Sequence, residues 1–249
     1  YPLIIGFCKT CALVQLARAP ESSAIFPSNY SYRSRTSPEL LANFDEMVLQ
    51  ASSIAQLKTD ARDRSLVVDI GCNDGSLLRK FRDKGFCVAG IDPTGAAADA
   101  LAGGIPVIRA FFGRSVSPRV RELYGQAKLI TATNVFAHVP DVDDFLSGVK
   151  ELLVPSGVFV VEVHYLGKMI ADCQYDTIYH EHLRYYSMTS ISQLLLNFGF
   201  EVVLIEPIRS HGGSLRVYAR CMTSDMNLES EMVRWTAPAE QELGLLDGT

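Results

Sequence analysis

Leu66–Gly75, reading LVVDIGCNDG, decides the fold of this chain. An apolar, β-branched run leads to Asp69 and Ile70, then breaks into Gly71-Cys72-Asn73-Asp74-Gly75. SLLRKFRDKG follows, with Leu77, Leu78 and Phe81 at helical spacing. The pattern predicts a buried strand, a tight glycine-flanked loop and a helix start. Glycine lets backbone approach a ligand closely, because a residue without Cβ takes positive φ freely. The helix start at Gly75 or Ser76 offers unpaired N–H groups and the positive end of a dipole. A dinucleotide fingerprint, Gly-x-Gly-x-x-Gly, is absent: Asn73 and Asp74 lie between the two glycines. Asp69 would repel a pyrophosphate and suits a ligand with a cationic end.

The loop resembles the first motif of class I S-adenosylmethionine (SAM) methyltransferases, whose cofactor carries an ammonium and a sulfonium. Around it strands and helices alternate. Strands are expected at Leu66–Ile70, Phe86–Ile91, Ile105–Arg109, Lys128–Thr133, Val158–Val163, Phe200–Glu206 and Ser214–Cys221. Helices are expected at Ser76–Lys84, up to Ala102, at Arg114–Tyr124, Val142–Leu153 and Met188–Phe198. Pro155-Ser156-Gly157 reads as a turn, and the last strand as antiparallel, reached through a short loop. This is an α/β, Rossmann-like, seven-stranded doubly wound sheet.

Composition narrows the class. The 249 residues are 48% hydrophobic with a net charge of −5, which argues against a nucleic-acid partner. No apolar run reaches the ~20 residues of a membrane span, and the scattered cysteines read as those of a reduced, cytoplasmic protein. A monomer is expected. Tyr1 and the polar ending make the chain read as a piece of something longer at both ends.

Residues 1–36 read as a segment of their own, residues 37–221 as the central domain, and 222–249 as the start of a truncated module. Cys8 and Cys11 form a C-x-x-C knuckle, half of a four-ligand zinc site. Two thiols in a small reduced domain, or a redox pair, are the other readings. Ser37 and Pro38 start a helix running to about Lys58.

In open α/β sheets ligands bind at the carboxyl ends of the strands. There stand the glycine loop, Asp92-Pro93 placed to accept from a ribose diol, then Asn134, Phe136 and His138, then Glu162, His164 and Tyr165. The insertion Tyr175–Tyr186 holds two histidines, two acids and four tyrosines. It reads first as an acid–base centre, second as a structural loop and third as a metal site using His180 and His182. His211-Gly212-Gly213-Ser214-Leu215-Arg216 reads as an anion-binding turn with Arg216 forking onto phosphate, or as a plain hairpin turn.

Together YPLIIGFCKTCALVQL, NYSY, VVDIGCNDGSLL, GIDPTG, NVFAHVPDVDDFLSGVKELL, YDTIYHEHLRYYS and HGGSLRVY resemble the SAM-dependent C-methyltransferases of deoxysugar biosynthesis. That resemblance covers nearly the whole chain. It implies SAM bound by Asp69, Gly71, Asn73, Gly75, Asp92, Pro93 and Asn134, and a nucleotide-linked keto-deoxysugar as substrate. It also implies His182 as base with Glu181 and Tyr179 beside it, and an amino-terminal zinc module to which Cys8 and Cys11 belong. Tyr32, His138, Glu162, His211 and Arg216 are the expected substrate contacts, with Tyr32 or Tyr30 covering the site. Departures are Ala12, Thr131-Ala132-Thr133 before Asn134, and Arg33 and Arg35 around Ser34. Alternatives are a small-molecule O- or N-methyltransferase and a non-catalytic fragment that binds SAM or a sugar nucleotide.

Overall fold

A computed structural model of the chain describes residues 2–60, 63–222 and 238–246. Its elements are β1 (Ile5–Phe7), β2 (Val14–Leu16), α1 (Ser22–Ile25), α2 (Pro38–Ile54), β3 (Thr59–Asp60), β4 (Asp63–Arg64), β5 (Leu66–Ile70), α3 (Ser76–Asp83), β6 (Cys87–Ile91), α4 (Ala97–Ala102), β7 (Val107–Ile108), α5 (Ser117–Tyr124), β8 (Ala127–Thr133), α6 (Val142–Leu152), β9 (Leu153–His164), α7 (Leu166–Ala171), β10 (Arg184–Tyr185), α8 (Met188–Asn197), β11 (Phe200–Ile208) and β12 (Ser214–Cys221). The main sheet has seven strands in the order β11-β12-β9-β8-β5-β6-β7. Every residue of β5 is buried, and β5 pairs in parallel with both β6 and β8. Burial on both faces is why its sequence is a continuous apolar run rather than an alternating one. The antiparallel partner expected at the end of the series is present: β11 pairs antiparallel with β12.

Boundaries move where proline sets them. The strand expected at Ile105–Arg109 shortens to Val107–Ile108, and Pro106, without an N–H, contributes only its carbonyl, to Gly90 N. The helix expected from Arg114 starts at Ser117, with Pro118 in its first positions. Residues 155–157, expected as a turn, lie within β9. Ser37 caps α2 as expected, its side chain accepting from Leu40 N at 3.2 Å.

Two compact units divide the chain. The first, Phe26–Thr133 with Asp141–Val160, holds β5 to β8 and α2 to α6. Its helices bury Leu40, Phe44, Met47, Leu77, Leu78, Phe81, Phe145 and Leu146. Packing between β5, β6 and the loop after β5 is tightest at Gly90, where an added Cβ would lie 2.4 Å from Cys72 Sγ.

The second unit, Tyr1–Ile25 with Asn134–Pro140 and Val161–Thr249, holds β11, β12 and a three-stranded sheet in the order β1-β2-β10. Hairpin β1–β2 carries the C-x-x-C turn, and β2 takes Arg184 and Tyr185 of the insertion as its next strand. Of the first 36 residues, Tyr1–Ile25 fall in this unit and residues 26–36 in the other. Leu16, Leu166, Met169, Leu183, Tyr185 and Leu245 form one apolar cluster in this unit. The end of the chain, read as the start of another module, lies outside the described residues at 223–237 and 247–249. Its described part belongs to this unit, where the buried Glu240 accepts from Met188 N (2.6 Å), Thr189 N (3.1 Å) and Thr189 Oγ1 (2.7 Å). That carboxylate adds to the Ser187–Ser190 capping box of α8 and complements the helix dipole.

Gly90→Ala should destabilise the first unit by about 1–3 kcal/mol. In a chain of this size each kcal/mol lowers the melting temperature by roughly 2–4 °C. Combining it with Cys72→Ala should recover part of the loss, and equal melting of the single and double variants would refute the packing argument.

Candidate active site

The loop after β5 is built by its own polar groups. Gly71 (φ 72°), Asn73 (φ 50°) and Gly75 (φ 77°) take positive φ, and the N–H groups of Gly71 and Cys72 donate to Ile91 O. Asn73 N donates to Asp92 Oδ2 at 2.8 Å. Asp92 Oδ1 accepts from Thr94 N and Thr94 Oγ1. Asp92 was expected to meet a ribose diol; instead its two oxygens staple this loop to the one after β6. One lone pair of Oδ2 is left over by that count. Asp69 Oδ1 accepts from Thr131 Oγ1 at 2.7 Å, and Asp74 Oδ1 from Ser76 N and Oγ. All three acids are buried. Burial, then Asp69, Asp92 and Asp74, push the Cys72 thiol well above its ordinary value. Such a concentration of buried negative charge fits a ligand carrying positive charge.

In the same unit, residues 32–35 are strapped to this loop. Asn73 Oδ1 accepts from Ser34 N (3.1 Å), Asn73 Nδ2 donates to Tyr32 O (3.1 Å), and Asp74 Oδ2 accepts from Arg35 N (2.9 Å). Arg33 and Arg35, the departures noted in the sequence, both pair with Asp99 of α4, at 2.8 and 3.2 Å. Arg33 also donates to the carbonyls of Tyr30 and Tyr32. Tyr32 stays 42% exposed, and burial together with Asp74 raises its hydroxyl.

Four of the five histidines gather in the other unit. His138 ends the short turn after β8, His164 ends β9, His182 belongs to the insertion and His211 to the turn before β12. The ring of His182 lies 5.0 Å from His138 and 4.7 Å from His164 between centroids, and His211 lies 5.8 Å from His164. His182 is 5% exposed. Its Nδ1 lies 2.9 Å from Thr177 O. A carbonyl only accepts, so Nδ1 carries the proton. Nε2 therefore presents its lone pair, 3.0 Å from the Tyr179 hydroxyl. His138 Nδ1 is fixed in the same way by Glu181 O at 2.6 Å. Burial lowers three of these rings: His182 below its ordinary value, and the partly buried His138 to about 4 and His164 to about 3.

The remaining candidates sort themselves by geometry. Glu181 joins the cluster through its backbone carbonyl, while its carboxyl is raised by burial. Glu162 and Arg216 were both expected to touch substrate; both are buried, and Arg216 Nε donates to Glu162 Oε1 at 2.6 Å. Arg216 thus points into protein and does not fork outward from the turn. Asn134 holds a left-handed backbone (φ 55°), donates through N to Glu162 O, and has a buried Oδ1 with no hydrogen-bond partner. Pro93 lies between Asp92 and Thr94 in the stapled turn. Among the described residues no group of three or more His, Cys, Asp or Glu is placed to hold an ion, and Cys8 and Cys11 are two of the four ligands that a structural zinc takes. Cys8 and Cys11 are free thiols, that of Cys8 lowered by hydrogen bonds from Cys11 and Thr10. Sequence reasoning missed Thr177 and the backbone of Ser34 and Arg35, because they act through main-chain groups that any residue carries.

A methyltransferase-domain family model matches residues 43–205. The C-methyltransferase NovU of Streptomyces niveus is 33% identical over 229 residues, covering 90% of this chain and 53% of that protein. The chain therefore spans about half the length of this curated relative. Among solved structures, magnesium protoporphyrin IX methyltransferase (ChlM) from Synechocystis PCC 6803 with bound SAM is similar with a TM-score of 0.52 at 15% identity, over 73% of this chain and 79% of that one. The PH0226 protein from Pyrococcus horikoshii OT3 gives a TM-score of 0.55 at 16% identity, over 82% of this chain and 100% of that one. At these identities the likeness is one of fold, and it is the class I sheet expected from the sequence.

The buried histidines make stability depend on pH. Their folded pKa values lie below the unfolded one, so the unfolded chain binds the extra protons. Stability is complete above about pH 6.5 and falls as pH drops toward 4, by at most about 1.4 kcal/mol per pH unit for each ring whose folded pKa is lowered. Urea unfolding between pH 7 and 4.5 should show this decline, and His164→Asn should flatten it. An unchanged slope in that variant would refute the account.

Proposed function

The chain belongs to the methyltransferase-domain family, and on that premise we propose that it serves SAM-dependent C-methylation of a nucleotide-linked keto-deoxysugar. The observation that carries this is the state of His182. Its Nδ1 proton is committed to Thr177 O, so Nε2 is an available base in a buried, neutral imidazole. A carbon beside a ketone becomes nucleophilic only after losing a proton, whereas methylation of a thiolate or an amine needs no such step. The relative named as a C-methyltransferase supports the same reading.

Asp69, Gly71, Asn73, Gly75, Asp92 and Pro93 would hold SAM, the buried acids suiting its positive charge. When bound, SAM supplies an electrophilic methyl group. His182 Nε2 takes the α-proton of the keto-sugar, and the Tyr179 hydroxyl, released from Nε2 by the substrate, donates to the developing enolate oxygen. A positioned base is worth ~10²–10⁴-fold in rate. His138 and Tyr32 line the sugar side. Glu162 and Arg216 are bonded to each other, and the main-chain carbonyl of Glu162 accepts from Asn134 N. The C-x-x-C turn supplies no chemistry in this scheme.

His182→Asn should abolish exchange of the keto-sugar α-proton in deuterated buffer while SAM binding, measured by calorimetry, persists. Exchange at the wild-type rate would remove His182 from this role. Mass spectrometry with SAM and a panel of nucleotide keto-sugars would show whether a methyl group is gained and on which sugar.

A further inference from the structure

C-methylation at a carbon beside a ketone replaces a C–H bond by a C–C bond, so each turnover leaves one proton to be discarded. On the reading above, that proton arrives on His182 Nε2. His182 is 5% exposed, and its other nitrogen is held by Thr177 O. The Tyr179 hydroxyl, which also reaches Nε2, is engaged by the substrate oxygen and covered by it. The base must still be discharged before it can act again.

From His182 a row of imidazoles leads outward. His164 stands 4.7 Å away between ring centroids, and His211 a further 5.8 Å from His164. Exposure rises along the row: His182 is buried, His164 partly buried and His211 exposed. Such spacings let a nitrogen of one ring meet the next directly or through one water. The outermost ring is held there at some cost. His211 has φ 53° and ψ 41°, inside a run with Gly212 (φ 77°) and Gly213 (φ 120°). A non-glycine residue in this region stores strain, which persists where the surroundings over-determine it. Gln174 Nε2 grips Gly212 O at 2.9 Å, and Tyr165 N donates to Gly213 O. With Arg216 turned inward to Glu162, the anion-fork reading of this turn no longer explains its form.

We propose that His164 and His211 are relay residues that carry the abstracted proton from His182 to solvent, an inference that rests on His182 being the base. The proton on His182 Nε2 passes to the unprotonated nitrogen of His164. The N–H proton of His164 then passes to the unprotonated nitrogen of His211, which releases its own N–H proton to water or buffer. No electrons move between groups, and ring rotation restores the starting tautomers. His138, held by Glu181 O, has no place in the row.

The test is His211→Asn, because asparagine tolerates positive φ and so keeps the turn while removing the titratable ring. In dilute buffer free of imidazole, steady-state kcat should fall by roughly 10²-fold, the lower end of what a lost proton-transfer group costs. KM for the keto-sugar and the single-turnover rate should stay at wild-type values. Added imidazole should restore kcat in proportion to its concentration, a rescue that a structural defect would not show. An unchanged kcat, a loss that imidazole does not repair, or a loss expressed as raised KM each overturns the relay. His182→Asn run alongside separates the two claims. Persisting α-proton exchange there defeats the base itself. Lost exchange together with an unaffected His211→Asn defeats only the relay.

Discussion

A carboxylate removed from water must be answered by donors or by a cation, and the first unit is arranged around that demand. Asp69, Asp74 and Asp92 are all nearly inaccessible at the ends of adjacent strands or in the loop between strand and helix. Thr131, Ser76 and Thr94 answer them with hydroxyls, and the N–H groups of Asn73, Ser76, Thr94 and Arg35 add backbone donors. Satisfying Asp92 from Asn73 fixes the left-handed turn, and satisfying Asp74 from Arg35 draws residues 32–35 onto it. One electrostatic requirement thus shapes the loop, its neighbour and the strap together. The Arg79 guanidinium, 3.7 Å from Asp74 Oδ1, offsets part of the remaining negative charge, and on the proposed reading a cationic ligand would answer the rest.

The second unit solves the opposite problem. On the proposed reading a base must be kept neutral and aimed; burial favours the neutral ring of His182, and a single carbonyl orients it. Thr177 O holds the Nδ1 proton, which leaves Nε2 as the only basic atom of His182. The same device on His138, through Glu181 O, means that two rings have their tautomers defined by main-chain carbonyls. A carboxylate in that place would raise the ring's proton affinity and charge it; an amide carbonyl orients it with less effect. Neighbouring neutral rings complete a surrounding that resists accumulation of positive charge.

Much of this was legible in the chain because its signals are periodic or punctuated. The apolar run into Asp69, the glycines of the loop and the Ser-Pro start of α2 act locally, and local chemistry survives folding unchanged. The hairpin β1–β2 extended by Arg184 and Tyr185 was not legible, since pairing between residues so distant in sequence leaves no mark on either. Arg216 misled for a related reason. Arginine beside two glycines looks solvated, and only the fold reveals Glu162 at 2.6 Å. Asp92 was placed correctly at the end of its strand, but its stapling to Asn73 depends on a turn geometry that the residue type alone does not specify.

Glu162 and Arg216 form a buried ion pair whose partners face each other. Burying both charges costs much of what their attraction returns, so stability alone is a weak reason for the pair. Its backbone consequence is stronger. Glu162 O receives Asn134 N, and Asn134 is held in a left-handed conformation with its side-chain oxygen buried and partnerless. An unsatisfied buried acceptor costs roughly 1–3 kcal/mol, which the fold bears in the absence of a ligand. A bound group that brings an N–H donor removes that cost. On the proposed reading, a ligand that brings an N–H donor to Asn134 Oδ1 gains that free energy on binding.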